Sequence, residues 1–304
     1  MTQTNMTLGN IESPAVGFGT YLIEPEAAAA AVAAAIEAGY RHIDTAAGYG
    51  NEAGVGEGIR LGASRAGIDP ADVFVTTKLW PGNAAWGQPV KGYDETLEAF
   101  EESRRALGRE VVDLYLIHAP SGGEKRLDEW RALIDIKADG RARAIGVSNF
   151  TEAHIDEITD AGLALPEANQ IELHPWSQKP GLVAYLRRHG ILPIAYSSLV
   201  PLSTWRADPG QDSAKTEAMR AEGGEASPFR RMAGALGVTE AQLLLRWGVQ
   251  SGFPVIPKSL NPDRMRSNAD LFGFSIPEEM MQEIATLDRG DGVAWATGDP
   301  RELG

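Results

Sequence analysis

The stretch Arg41-His42-Ile43-Asp44, continuing to Tyr49, decides the fold together with three later strings, Thr76-Thr77-Lys78, Leu116-Ile117-His118 and Ile256-Pro257-Lys258-Ser259. Each closes a short apolar run of β type with a polar side chain. In a parallel barrel the C-terminal ends of the strands share one face, and the chemistry gathers there. An Asp, a Tyr, a Lys and a His carried by different strands would meet in one cleft.

Working outward, strand-like runs alternate with helix-like ones from about residue 15 to residue 272, and no Pro- or Ser-rich linker interrupts them. The predicted strands are Ala15 to Thr20, His42 to Thr45, Val73 to Lys78, Leu114 to His118, Ala144 to Ser148, Asn169 to Leu173, Pro193 to Ser197 and Val255 to Pro257. Amphipathic stretches such as Glu26 to Glu37, Glu95 to Leu107, Leu127 to Lys137, Glu152 to Asp160 and Glu240 to Trp247 lie between them. The pattern predicts an α/β fold, a (β/α)8 TIM barrel, formed by residues 1–304 as one domain.

An open doubly wound sheet shares this alternation but would carry a Gly-x-Gly-x-x-Gly turn after its first strand. Gly54-Val55-Gly56-Glu57-Gly58 instead follows the second strand inside a helix-like run, which predicts close helix packing. Met6 to Pro14 reads as an N-terminal hairpin with Gly9-Asn10 at its turn, expected to plug the bottom of the barrel. Two long loops, Pro81 to Lys91 and Val200 to Ser227, break the spacing, and the second is expected to form a flap. A further helix from Pro277 to Leu287 and a Gly-rich tail with Trp295, expected over the barrel mouth, complete the chain.

Hydrophobic residues make up 43% of the chain, enough for a large core, and no apolar run approaches the roughly 20 residues a membrane span needs. The start, Met1 to Asn10, lacks the basic and apolar regions of a secretory signal, so a cytoplasmic location is expected. With no cysteine, there are no disulfides or thiolate sites, and any redox chemistry must come from a cofactor. The 42 acidic residues against 28 basic ones leave a net charge of −14, which disfavours nucleic acid and anionic membranes. An anionic cofactor would need a local basic pocket set against that field.

Lys78 ends a buried strand, where an unpaired ammonium costs several kcal/mol, and Asp44 on the adjacent strand is its expected partner. A structural Lys–Asp pair at a barrel rim explains these two residues equally well. Tyr49 shifts the balance: a phenol with an unperturbed pKa of about 10 becomes a useful acid near neutrality beside a cation. Alone, Tyr49 reads more readily as packing, and His118 as either a donor to a substrate oxygen or a hydrogen-bonded core histidine. Together the four make a catalytic constellation.

The strings His42-Ile43-Asp44-Thr45-Ala46 through Tyr49-Gly50-Asn51-Glu52, Thr77-Lys78-Leu79-Trp80, Asp113 through His118, Gly146-Val147-Ser148-Asn149-Phe150, Asn169 through Pro175 and Pro257-Lys258-Ser259 resemble the aldo-keto reductase family from about residue 8 to residue 290. Among its members, the chain looks most like bacterial reductases of the 2,5-diketogluconate reductase type. The resemblance implies that Tyr49 is the general acid of carbonyl reduction, that Lys78 lowers its pKa, that Asp44 pairs with Lys78 and that His118 orients the carbonyl. It implies NADPH extended across the mouth: Ser148, Asn149 and Gln170 on the carboxamide, Tyr196 stacked on the nicotinamide, Ser197 and Leu199 on the pyrophosphate, Thr20 also in contact. Lys258, Ser259 and Arg264 match the grip on the 2′-phosphate, where Arg and Lys suit a dianion.

Two departures stand out. Ser267-Asn268 replaces the family's usual Glu-Asn at the adenine, leaving Asn268 as the expected contact, and Ser198 replaces a Pro before Leu199, which is expected to loosen the flap hinge. Tyr21, Trp80, Trp86 and, in the flap, Trp205 are substrate-pocket candidates.

The expected activity is NADPH-dependent reduction of aldehydes and ketones to alcohols, without a metal, by a monomeric bacterial enzyme acting on a small-molecule carbonyl. Two rivals remain: a nicotinamide-nucleotide-binding regulatory subunit with little turnover, and an aldolase using Lys78 as a Schiff-base amine.

Overall fold

The computed structural model describes residues 4–202, 227–290 and residue 294. Strands β1 (Asn5–Leu8) and β2 (Ile11–Pro14) pair antiparallel around Gly9, whose φ of +56° suits the tight turn. Seven parallel strands follow in sequential order: β3 (Phe18–Gly19), β4 (His42–Asp44), β5 (Phe74–Leu79), β6 (Val112–Ile117), β7 (Ala142–Ser148), β8 (Ala168–Glu172) and β9 (Leu192–Tyr196).

The barrel closes through Val255, which bridges in parallel to Val16 on one side and to Ala195 on the other. Gly17 N donates to Val255 O at 2.8 Å, Val255 N to Ala15 O at 2.9 Å, Ala195 N to Pro254 O at 2.8 Å and Gly19 N to Pro257 O at 3.1 Å. The fold is thus a (β/α)8 barrel whose eighth strand, expected over Val255 to Pro257, is reduced to one bridging residue. Pro254 and Pro257 have no N–H to give a ladder, so the segment supplies mostly acceptors.

Helices α1 (Pro25–Glu37), α2 (Glu52–Ala66), α3 (Tyr93–Leu107), α4 (Arg126–Ala138), α5 (Glu152–Asp160) and α6 (Pro180–Arg188) connect the strands. Beyond β9 come α7 (Pro228–Leu236), α8 (Glu240–Gln250), α9 (Pro262–Ala269) and α10 (Glu278–Ala285). The expected glycine-mediated packing is present. A Cβ on Gly54 would lie 2.8 Å from that of Ala28, and one on Gly58 would lie 2.6 Å from Ala29 O, so α1 and α2 touch backbone to backbone.

Alternation along the strands divides the core in two. Val73, Val75 and Leu79 pack outward with the helices, whereas Phe74, Leu114, Leu116, Ala144, Ala168 and Ile194 form a separate cluster with Leu8 of the hairpin. Leu8 is fully buried there, as expected of a plug in the barrel floor. Continuing Phe74's parity upward puts Thr76 and then Lys78 on the inner face, above an apolar plug.

Val200–Leu202 form a 3-10 turn, while residues 203–226 of the expected flap, with Trp205, and Trp295 in the tail, lie outside the described residues. Among the described residues no helix is long and apolar enough to cross a membrane.

Candidate active site

Asp44 ends β4 and Lys78 lies one residue before the end of β5, with Asp44 paired in register to Thr76. Lys78 Nζ donates to Asp44 Oδ1 at 2.6 Å and to Thr45 O at 2.8 Å, and the side chain is fully buried. Burial pulls the ammonium's pKa down; the Asp44 carboxylate acts against that, with a further contribution from Glu52. The second oxygen of Asp44 accepts from Gln170 Nε2 at 2.7 Å, so two donors hold the carboxylate.

Tyr49 stands on the 3-10 turn Ala47–Tyr49, and Lys78 Nζ lies 5.1 Å from its ring centroid. His118 follows β6 and meets Tyr49 edge-on at 5.4 Å. Burial, and secondarily the charge of Lys78, push the His118 imidazole down to about 3, so it is neutral across the physiological range. Its Nδ1 is buried without a hydrogen-bond partner among the described residues. The four residues named from sequence are therefore gathered at one mouth.

A polar chain runs on from them. Ser148 Oγ donates to Gln170 O at 2.7 Å, Asn149 Nδ2 donates to Ser148 Oγ and to His118 O, and Tyr196 OH donates to Asn149 Oδ1 at 2.7 Å. Asn149 and Ser197 hold positive φ of 64° and 58°, a left-handed backbone that non-glycine residues adopt at some cost. Thr20 is buried with its hydroxyl on Asp44 O at 3.1 Å, so it braces β4. Leu199 packs on the main core, and Ser198, the expected hinge departure, is buried.

Lys258 and Arg264 are exposed, and neither forms an ion pair among the described residues. Between them Ser259 is nearly buried and Asn261 caps α9, accepting from Asp263 N and Arg264 N. Asn268 is buried on α9, with Ser267 half-buried beside it. In a chain of charge −14 these are two cations without a carboxylate partner among the described residues.

Tyr21 leans on Tyr49 at 5.1 Å, Trp80 stands perpendicular to His118 at 5.8 Å, and Trp86 stacks on Trp80 at 5.9 Å. Tyr21 thus adjoins Tyr49, Trp80 adjoins His118, and Trp86 lies one ring further out.

Two residues escaped individual notice in the sequence. Asn51 is buried, donates to Thr20 O and Ile23 O, and accepts from Thr45 Oγ1 at 2.9 Å, locking the loops after β3 and β4 together. Glu52 accepts from Thr77 Oγ1 at 2.5 Å, behind Lys78; burial raises its pKa. Their signal was their position in the Tyr49 motif.

Residues 15–289 match the Aldo/keto reductase family, and the chain belongs to it as an oxidoreductase. It is 40% identical over 299 residues to morphine 6-dehydrogenase of Pseudomonas putida, covering 96% of this chain and 93% of that one. It is 37% identical over 285 residues to 2,5-diketo-D-gluconic acid reductase B of a Corynebacterium species, covering 93% and 91%. The crystal structure of a Bombyx mori aldo-keto reductase in complex with NADP matches at a TM-score of 0.82 and 31% identity, covering 96% and 95%.

Proposed function

We propose that the protein reduces aldehydes and ketones to alcohols with NADPH, using Tyr49 as the general acid. The buried Lys78–Asp44 pair beside the Tyr49 ring carries this reading. Other aldo-keto reductases bind NADP, and the uncommitted Lys258 and Arg264 fit a 2′-phosphate by charge. Ser148, Asn149 and Gln170 offer amide and hydroxyl groups for a carboxamide, Tyr196 a ring face, and Ser197, Leu199, Ser259, Thr20 and Asn268 further contacts. When bound, NADPH supplies a hydride to the carbonyl carbon.

Tyr49 gives its proton to the carbonyl oxygen, and the alcohol leaves with both hydrogens. The Lys78 ammonium, held in place by Asp44 and Thr45 O, stabilises the phenolate that remains until solvent returns the proton. His118, neutral and edge-on to Tyr49, donates an N–H to the same oxygen and orients the carbonyl. Tyr21 and Trp80 exclude water from the reacting face.

A Schiff-base role for Lys78 is disfavoured because its nitrogen is fully buried and already donates to two acceptors. The reading takes residues 1–304 as one domain of a cytoplasmic monomer. Loss of absorbance at the reduced-nicotinamide band, with NADPH and NADH run in parallel against a panel of carbonyls, tests it. Turnover favouring NADPH is expected; tight NADPH binding without turnover would favour a regulatory subunit instead.

A further inference from the structure

The rings at the mouth form one run that is longer than carbonyl reduction requires. From Tyr49 the centroid steps are 5.4 Å to His118, 5.8 Å to Trp80 and 5.9 Å to Trp86, the two indoles lying within 18° of parallel. Trp86 is 58% exposed and stands outside the core, with its ring stacked on Trp80.

Slack chain does not explain that exposure. Asn83 Oδ1 accepts from Ala85 N at 2.9 Å, and Asn83 O accepts from Trp86 N at 3.1 Å and Gln88 N at 3.0 Å. Lys91 N donates to Pro81 O at 2.9 Å and Ser121 Oγ to Gly82 O at 2.7 Å, tying the loop to itself and to the segment after β6. Gly82, at φ +87°, lies so close to Pro89 O that a Cβ would overlap it. Trp80 Nε1 donates to Gln88 Oε1 at 2.8 Å, which fixes the inner indole's plane. The loop is a built support that holds an indole in water.

We propose that Trp86 is a specificity-determining residue that extends the pocket into a platform for carbonyl compounds of two or more fused rings. The inference rests on the reductase reading. With the carbonyl at Tyr49 and His118, the ring bearing it lies along Trp80, and only a second ring reaches Trp86. A pre-organised aromatic face binds such a ring without an ordering cost at the loop.

The test compares kcat/KM for benzaldehyde and 2-naphthaldehyde in the parent chain, Trp86→Ala and Trp86→Phe. The parent is expected to prefer 2-naphthaldehyde, Trp86→Ala to lower that preference about tenfold, the factor one good ring contact is worth, and Trp86→Phe to restore most of it. Retention of the parent's preference in Trp86→Ala would overturn the proposal. Calorimetric titration of 2-naphthamide and benzamide, which carry no hydride to give, into the NADP+-loaded proteins reads the same ratio without turnover. If the parent reduces neither aldehyde, the reductase reading fails, and the titration decides the platform alone: a naphthyl preference lost with Trp86 upholds it, and equal affinities overturn it.

Discussion

Gln170 Nε2 donates to Asp44 Oδ2 at 2.7 Å, while Lys78 holds the other oxygen of the same carboxylate. Gln170 is also among the residues proposed for the nicotinamide carboxamide, so one side chain joins the cofactor side of the mouth to the acid side. Gln170→Leu takes one donor from a buried carboxylate, a loss of about 1–3 kcal/mol. Urea unfolding should show a lower midpoint with an unchanged slope. An unmoved midpoint would mean that Asp44 does not need this donor.

Removing the ammonium is the harsher change. Lys78→Met strands Asp44 as a buried charge, which costs about 3–5 kcal/mol, whereas the double variant Asp44→Asn with Lys78→Met should regain most of it. Denaturation of the three proteins makes the comparison. Equal losses in the single and double variants would contradict the pairing argument.

Tyr49→Phe keeps the ring and its contacts with His118 and Tyr21 but deletes the transferable proton. We expect a fall in kcat of about 10²–10⁴, with NADPH binding close to that of the parent. Retained turnover would remove Tyr49 from the mechanism.

Two histidines set the acid limit. Burial holds His42 at about 4 and His118 at about 3, both below the 6.5 of a free imidazole. Between pH 6.5 and those values the unfolded chain binds more protons than the folded one, so stability falls as pH drops and is unaffected by these groups above pH 7. His118→Gln should therefore flatten the decline in unfolding free energy between pH 6.5 and 4. A decline as steep as the parent's would show that other groups cause it.

Glu129 has the opposite sign. It is fully buried on α4, neither carboxylate oxygen has a hydrogen-bond partner among the described residues, and burial raises its pKa to about 8 against the pull of Arg126, Lys91 and Lys125. The folded chain keeps this proton from about pH 4.5 to 8 while the unfolded chain gives it up, so stability is lost as pH rises through that window. Glu129→Gln should be more stable than the parent at pH 9 and gain little at pH 5. Melting curves at the two pH values are sufficient, and equal gains at both would refute the assignment.

Much of this was legible in the chain because it follows from short-range rules. Apolar runs ending in a polar group placed seven of the barrel strands, and the cost of a buried charge identified Asp44 as the partner of Lys78. The eighth strand, expected over Val255 to Pro257, reads too long because the apolar run does not register that Pro254 and Pro257 lack the N–H a ladder needs. The bond from Gln170 to Asp44 joins residues 126 positions apart and depends on the register of strands that are not neighbours. Asn51 stood in a recognised motif, yet its hold on Thr20 and Ile23 exists only once two loops have met. Trp86 was named as a pocket candidate, but its parallel stacking on Trp80 needed coordinates.

The closure at Val255 also bears on how the chain is made. Its partners are Val16 and Ala195, so the seam waits for a segment synthesised some 240 residues after the first barrel strand. At elongation rates of about 5–20 residues per second, the edges of β3 and β9 stay open for seconds or longer, and open edges recruit other chains. The seam is thus unclosed throughout the interval before Pro254 and its neighbours emerge.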